Sequence, residues 1–211
     1  VFHAQWGKFV QQPELTDIYR GYLYAAWRIN SGYFFGTTSG QNVRPTRTTQ
    51  YEIGFSQELT SFLSFDVTGY YKDIKDQVVY IYQTVAVNAD ATSYASLTNG
   101  DFATTKGVEI SLTMRRYERL SAQANISFQD AQGTGSFPNS NRGIVGSPVV
   151  AGQVYTPVYI SPLEYNNGLK ANVNLDYRFD KNESSAILRG LGASVLVTYS
   201  SGHPYTLGDG K

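Results

Sequence analysis

Thr49-Gln50-Tyr51-Glu52-Ile53-Gly54-Phe55-Ser56-Gln57-Glu58-Leu59 is the stretch that decides the fold. Its odd positions include Tyr51, Ile53, Phe55 and Leu59; its even positions are Gln50, Glu52, Gly54, Ser56 and Glu58. Successive side chains of a strand point to opposite faces, so a period of two residues makes one face apolar and the other polar.

The pattern recurs in both directions along the chain. Leu63, Phe65, Val67, Gly69 and Tyr71 alternate with Ser64, Asp66, Thr68, Tyr70 and Lys72. Val108, Ile110, Leu112 and Met114 alternate with Glu109, Ser111, Thr113 and Arg115. Leu120, Ala122, Ala124, Ile126 and Phe128 alternate with Ser121, Gln123, Asn125, Ser127 and Gln129. Residues 169–179 set Leu, Ala, Val, Leu, Tyr and Phe against Lys170, Asn172, Asn174, Asp176 and Arg178. Residues 191–200 repeat the pattern with a break at Leu196, and Phe2, Ala4 and Trp6 against His3, Gln5 and Gly7 follow it more loosely. About seven strands result, each near the ~9–11 residues that a tilted strand needs to cross a bilayer.

A soluble antiparallel sandwich, with one face on a core and one in water, is the competing reading. Two features favour a membrane wall. The polar faces carry long charged and amide side chains almost without interruption, as a wet barrel interior requires. The apolar faces are rich in Ala, Val and Leu, with Phe55, Tyr71, Phe128, Tyr177, Phe179 and Tyr199 expected near strand ends as an aromatic girdle. The links are also sorted. Thr60-Ser61 and Arg116–Arg119 are short, residues 11–46, 84–104 and 131–164 read as long loops, and 180–190 is intermediate. Taken in order, they put the short turns on one side, as in outer-membrane barrels with short periplasmic turns and long external loops.

Composition bounds the rest. Lys+Arg and Asp+Glu are both 17, so the net charge is zero and gives no electrostatic case for nucleic acid. There is no Cys, which excludes disulfides and thiolate chemistry. No run approaches the roughly 18 apolar residues of a spanning helix, which leaves strands as the way across. No signal peptide is visible at Val1, and Leu207-Gly208-Asp209-Gly210-Lys211 reads as the start of a loop. With an odd number of strands, these ends lead us to expect an incomplete barrel, since an open edge is not tolerated in lipid.

Four segments resemble one family. Trp6-Gly7-Lys8-Phe9-Val10-Gln11-Gln12-Pro13-Glu14-Leu15-Thr16-Asp17-Ile18-Tyr19 is similar to the YGxFxQxPxLxDLY segment of TonB-dependent receptors. The stretch from Val43 to Phe55 resembles their LxPExTxxYExGF strand, with Thr46 where the family often has Glu. Residues 65–76 resemble LDVTAYYKDIxD, and residues 99–110 resemble NxGxxxxKGxEL. All four occur in the family's order. The resemblance implies an all-β, antiparallel transmembrane β-barrel in the bacterial outer membrane, with residues 1–211 forming about seven strands of a barrel of about 22. It implies as partners the membrane lipid, the remaining strands, a plug domain carried elsewhere in the protein, and a TonB-type inner-membrane energy-coupling protein. A surface lipoprotein is a further partner seen in such systems.

Local physics assigns the same motifs structural jobs. Pro45 fixes the backbone where a loop re-enters a strand. Gly54 and Gly69 permit a bend or close backbone approach, or are ordinary sheet glycines. The only histidines, His3 and His203, lie far apart without a second ligand at metal-binding spacing, so no metal, cofactor or catalytic residue is expected. Asp73, Asp76, Lys72 and Lys75 read as a solvated strand extension. Gln50, Glu52, Asp66, Glu109, Asn125, Asn172 and Asp176 are expected to face the barrel lumen. The loop aromatics Tyr22, Tyr24, Trp27, Tyr33, Phe34 and Phe35 are candidates for ligand contact, because function concentrates on loops held by a rigid scaffold.

Import of a scarce ligand (siderophore, glycan, peptide or similar) is the leading functional expectation. A passive porin or adhesin barrel, an outer-membrane enzyme barrel, and a soluble β-sandwich binding module are the alternatives. An enzyme would need a Ser/His or carboxylate set at the mouth.

Overall fold

The computed structural model describes residues 1–15, 37–38, 43–87, 90–137, 140, 149–150, 153–154 and 158–205. Its frame is seven long strands: β1 (Phe2–Gln11), β2 (Thr46–Thr60), β3 (Leu63–Val87), β4 (Asp90–Tyr117), β5 (Leu120–Gly133), β6 (Leu169–Arg178) and β7 (Gly192–Ser200). Each pairs antiparallel with the next in chain order, so the sheet is an up-and-down meander that is not closed on itself.

Register turns the sequence alternation into continuous rows. One apolar row crosses all seven strands: Phe2, Phe55, Val67, Ile110, Ile126, Ala171 and Tyr199 are successive cross-strand partners. The adjacent polar row runs His3, Gly54, Thr68, Glu109, Ser127, Lys170 and Ser200. A slip of one residue at any pair would exchange the faces, so every pair enforces the same choice. Leu196 is the exception within the polar rows: it lies opposite Asn174.

Among the described residues nothing covers the apolar face. Ile53 is 67% exposed and Val197 55%, and the buried hydrophobic residues among those described are only Leu97, Ala103, Ala131 and Leu163. A water-soluble domain of this size would bury most of its apolar rows. A single layer with a bare apolar face needs a non-aqueous medium against it, and the row rules out the sandwich reading.

The strands differ from expectation in length. Residues 84–104 do not form a loop: β3 continues to Val87 and pairs with β4 from Val87↔Asp90 onward. Val, Ile, Tyr and Thr fill this stretch, and their β preference carries the hairpin beyond the apolar belt as a paired ribbon. The segment Thr37–Thr38 runs parallel to Ala95–Ser96 on its edge. Phe55, Tyr71 and Phe128 sit inside their strands rather than near the ends, whereas Tyr177 and Tyr199 do lie next to strand ends. At the short-turn side Phe62 stacks on Tyr117 (4.2 Å) and Tyr177 meets Phe179 edge-on (5.3 Å). Trp6, Tyr51 and Tyr71 form one row towards the long-link side.

The short turns share one side as expected, but on the other side the link between β3 and β4 is only the two residues between Val87 and Asp90. Residues 61–62 and 118–119 are tight turns, and residues 179–191 share their side of the sheet. Glu118 adopts φ 53°, the left-handed conformation such a tight hairpin turn calls for.

A charge on the apolar row should be costly, and one on the polar face should not. Ile110→Arg is expected to destabilise the folded protein in lipid by about 2–4 kcal/mol, and Thr113→Arg by about 1 kcal/mol or less. Urea unfolding in bilayers measures both, and equal costs would contradict the two-faced wall.

Candidate functional site

The polar face is the part of the wall able to bind or guide a polar solute. Asp66, Ser111, Asn125, Asn172 and Thr198 form one cross-strand row with Ser56. Within it Asp66 accepts from Ser56 and from Thr68 (3.1 Å), and Ser111 donates to Asn125 (2.8 Å). Gln50 donates to Glu52 (3.1 Å). Glu109 stands opposite Thr68 and Ser127. Asp176, near the short turns, binds Arg116, Arg178 (3.1 Å) and Ser194 (2.6 Å). The structure therefore brings Gln50, Glu52, Asp66, Glu109, Asn125, Asn172 and Asp176 together on one face. The loop positions Tyr22, Tyr24, Trp27, Tyr33, Phe34 and Phe35 lie outside the described residues.

Two glycines on this face make room for rings. A Cβ at Gly54 would run into the His3 imidazole and the Thr68 hydroxyl. A Cβ at Gly107 would run into the Tyr70 ring, whose hydroxyl reaches Gln129 (3.4 Å). His3 is thus a packing residue, 3.9 Å from Glu52, laid across the neighbouring strand. Gly69 differs: the nearest atom to an added Cβ is the Ile53 carbonyl at 3.9 Å, so a tight approach does not explain it.

Towards the long links, two devices shape the mouth. The first is a clamp at a bulge in β3. Register shifts between Ile74 and Gln77, and Asp76 takes φ 60°. Asp tolerates this left-handed conformation better than most residues. Its carboxylate holds Arg47 (Nε, 2.6 Å) and Arg44 (3.4 Å), and its carbonyl accepts from Asn99 Nδ2 (2.6 Å). Asn99 also accepts from the Arg44 amide (2.6 Å) and donates to the Arg44 carbonyl (2.8 Å). The Thr46 hydroxyl donates to the Asp76 carbonyl at 3.4 Å. Pro45 sits directly before β2 within this clamp.

The second device is a shelf. Residues 158–168 return along the edge of β5, where Ser161 and Pro162 pair with Gly133 and Gln132. Leu163, 1% exposed, packs on Ala103 and Ala131, with Ile74 beside them. These three wall residues belong to the polar face by register, so here the polar face turns apolar to receive the returning chain. Backbone and side chains lock it. Leu163 N donates to Ala131 O (3.0 Å), Ala131 N to Asn166 Oδ1 (3.0 Å), and Glu164 N to Ser136 Oγ (2.8 Å). Tyr165 hydrogen-bonds Thr105, one strand further in, and burial pushes its phenol pKa up. Asn167, 2% exposed, accepts from Ser201 Oγ (3.1 Å). The expectation of an open loop over 131–164 missed this fold-back, because small residues at 103 and 131 become legible only once Leu163 lies on them.

Asp101 anchors the shelf from β4. It is 6% exposed and accepts from the Thr134 hydroxyl (2.9 Å), which in turn accepts from the Phe102 amide (3.0 Å). Burial raises its pKa above the ordinary carboxylate value, and the Thr134 bond only partly opposes this.

Comparison with known proteins places this geometry. The family model described as TonB dependent receptor-like, beta-barrel matches residues 1–210. Among solved structures the chain is similar to the outer membrane transporter YddB from Escherichia coli, with TM-score 0.60 and 18% identity over 83% of this chain and 24% of that one. It is also similar to the FrpB iron transporter from Neisseria meningitidis in its apoprotein form, with TM-score 0.51 and 14% identity over 92% of this chain and 28% of that one. At these identities the likeness is one of fold, and the chain spans about a quarter of each neighbour's length. Among the curated proteins nothing matches.

Two measurements check the mouth. Asn99→Ala removes three hydrogen bonds at a net ~0.5–1.5 kcal/mol each. Hydrogen exchange at the Arg44 amide should accelerate by at least about tenfold, with β5–β6 amides unaffected. For Asp101 the sign follows from its raised pKa: ionisation costs the folded state, and the cost disappears as pH falls through the folded pKa towards the unfolded one. Asp101→Asn should therefore slow exchange of the Thr134 amide relative to wild type at neutral pH, and the difference should close in mild acid. A gap that widens on acidification would refute the assignment.

Proposed function

Since the chain belongs to the TonB-dependent receptor-like β-barrel family, and so to a bacterial outer-membrane wall, we propose that the whole protein imports a scarce ligand by TonB-coupled active transport. The observation that carries this reading is the shaped polar face: hydrogen-bonding rows below, a locked shelf at the long-link end.

In this reading the remaining strands close the barrel and a plug domain fills it. Gln50, Glu52, Asp66, Glu109, Asn125, Asn172 and Asp176 face the lumen and meet the plug or the passing solute. Tyr22, Tyr24, Trp27, Tyr33, Phe34 and Phe35 stack on the ligand outside, where aromatic faces bind sugars, siderophores or peptides. A surface lipoprotein is a companion at the same end. The two solved neighbours, an outer membrane transporter and an iron transporter, support transport as the class while leaving the ligand of this chain open.

Liposome swelling and whole-cell uptake test the proposal together. The purified full-length protein should admit no sugars or ions into liposomes passively, and cells should accumulate its ligand only while the inner membrane is energised. Free passive flux, or uptake indifferent to a protonophore, would replace the proposal with a porin.

A further inference from the structure

On the mouth side of the β3 bulge, two buried oxygen-bearing side chains face each other. Asp101 and Gln77 are direct cross-strand partners, so their Cβ atoms stand about 4.5–5.5 Å apart on one side of the sheet. Asp101 lies two positions from Ala103 and shares the face on which Leu163 rests. In the motif NxGxxxxKGxEL that residues 99–110 resemble, glycine stands at the position of Asp101. The carboxylate is therefore a feature of this chain.

Its surroundings do not suit an ion. A carboxylate offers about four acceptor sites. Among the described residues its one donor is the Thr134 hydroxyl (2.9 Å), and no cation pairs with it. Its second oxygen rests beside Gly135, where a Cβ would come within 2.6 Å of it. The nearby Ser140 hydroxyl donates to Phe137 O instead (2.9 Å). The charged groups of the surrounding elements are committed elsewhere. On β3, Asp76 holds Arg44 and Arg47, and Asp73 holds Lys75; Lys106 on β4 pairs with Asp130 on β5. On the shelf, Glu164 is exposed and the Tyr165 hydroxyl bonds Thr105.

A neutral acid fits where an anion does not. Gln77 Oε1 is buried with no donor among the described residues. A protonated Asp101 has an O–H to give it, so one proton satisfies both side chains. A buried acceptor without a donor and a buried charge without a partner both cost free energy. Both costs favour the same protonation state.

We propose that Asp101 is a proton latch for the shelf: as the neutral acid it accepts from Thr134 and donates to Gln77 Oε1, tying β3 and β4 to the end of β5, and its ionisation loosens the returning chain at the mouth. The connection to the shelf is short. Two residues beyond Thr134, the Ser136 hydroxyl accepts from the Glu164 amide (2.8 Å), next to Leu163. Burial raises the Asp101 pKa in the folded mouth, which fixes the sign. The latch is fully engaged below the ordinary carboxylate value of about 3.9 and is lost as pH rises through the folded value. Acid fastens the shelf over the polar face, and alkali frees it.

Hydrogen exchange tests the latch on the full-length protein in lipid nanodiscs, read from mild acid to mild alkali and divided by the intrinsic rate at each pH. Protection of the Leu163 and Glu164 amides should fall about threefold to tenfold with rising pH, the scale of one lost hydrogen bond. In Asp101→Asn, whose amide donates to Gln77 and cannot ionise, protection should stay at the acid level throughout. Infrared spectra in mild acid should show a carboxylic-acid carbonyl band that Asp101→Asn lacks. Gln77→Leu should move that band to higher frequency, because the O–H loses its acceptor. A band that Gln77→Leu leaves in place would overturn the Asp101–Gln77 bond. Wild-type protection that is flat, or that rises with pH, would overturn the latch; a rise is the result expected if Gln77 turns its amide and donates Nε2 to an ionised carboxylate. The wild-type profile decides the sign without either variant. Energy-dependent uptake is read separately, so each proposal can fail without the other.

Discussion

Everything in this wall depends on backbone hydrogen bonding in a medium that cannot supply it. An unpaired peptide group costs several kcal/mol in hydrocarbon, so a chain crosses either as a helix or as strands that satisfy one another. Here each strand is paired with its sequence neighbour, and the ladder fixes register across seven strands. Fixed register leaves the side chains only two directions. The apolar row from Phe2 to Tyr199 and the polar row from His3 to Ser200 are two consequences of one ladder.

That division also explains where the molecule spends its polar chemistry. On the polar face, hydroxyls, amides and carboxylates pair laterally, as at Ser111–Asn125 and Ser56–Asp66, and glycines admit rings where a row would otherwise be crowded. At the ends of the strands the ladder alone no longer determines the path of the chain. The short-turn end uses tight turns and the Arg116–Asp176–Arg178 cluster. The other end uses the Asp76 bulge, which breaks register locally and turns the freed carbonyl and carboxylate towards the Arg44–Arg47 segment. A bulge is suited to this, because it re-aims side chains while the strand continues beyond it.

The shelf shows the same wall changing character along one face. Ala103 and Ala131 occupy polar-face positions, yet both are fully buried because Leu163 rests on them. The surrounding hydrogen bonds leave the buried amide groups of the fold-back satisfied, as burial requires. The mouth therefore has a built inner surface formed by the wall's own link. Its stability is local, resting on Asp101, Thr134, Asn166 and Asn167.

Much of this was legible in the residues alone, for a definite reason. Alternation at 49–59, 63–72, 120–129 and 169–178 is a local property, and it determined the strands, the two faces and the side on which short turns lie. The family motifs at residues 6–19, 43–55, 65–76 and 99–110 were equally local. Only the tertiary structure decided what depends on residues far apart in sequence. It showed that most of 84–104 pairs with the far half of β3 as a ribbon, that Asn99 closes on Arg44, that His3 needs Gly54, and that Leu163 finds Ala103 sixty positions away. Periodicity reports which way a side chain points. It does not report which distant side chain it meets, because that is set by register and by the return path of the links.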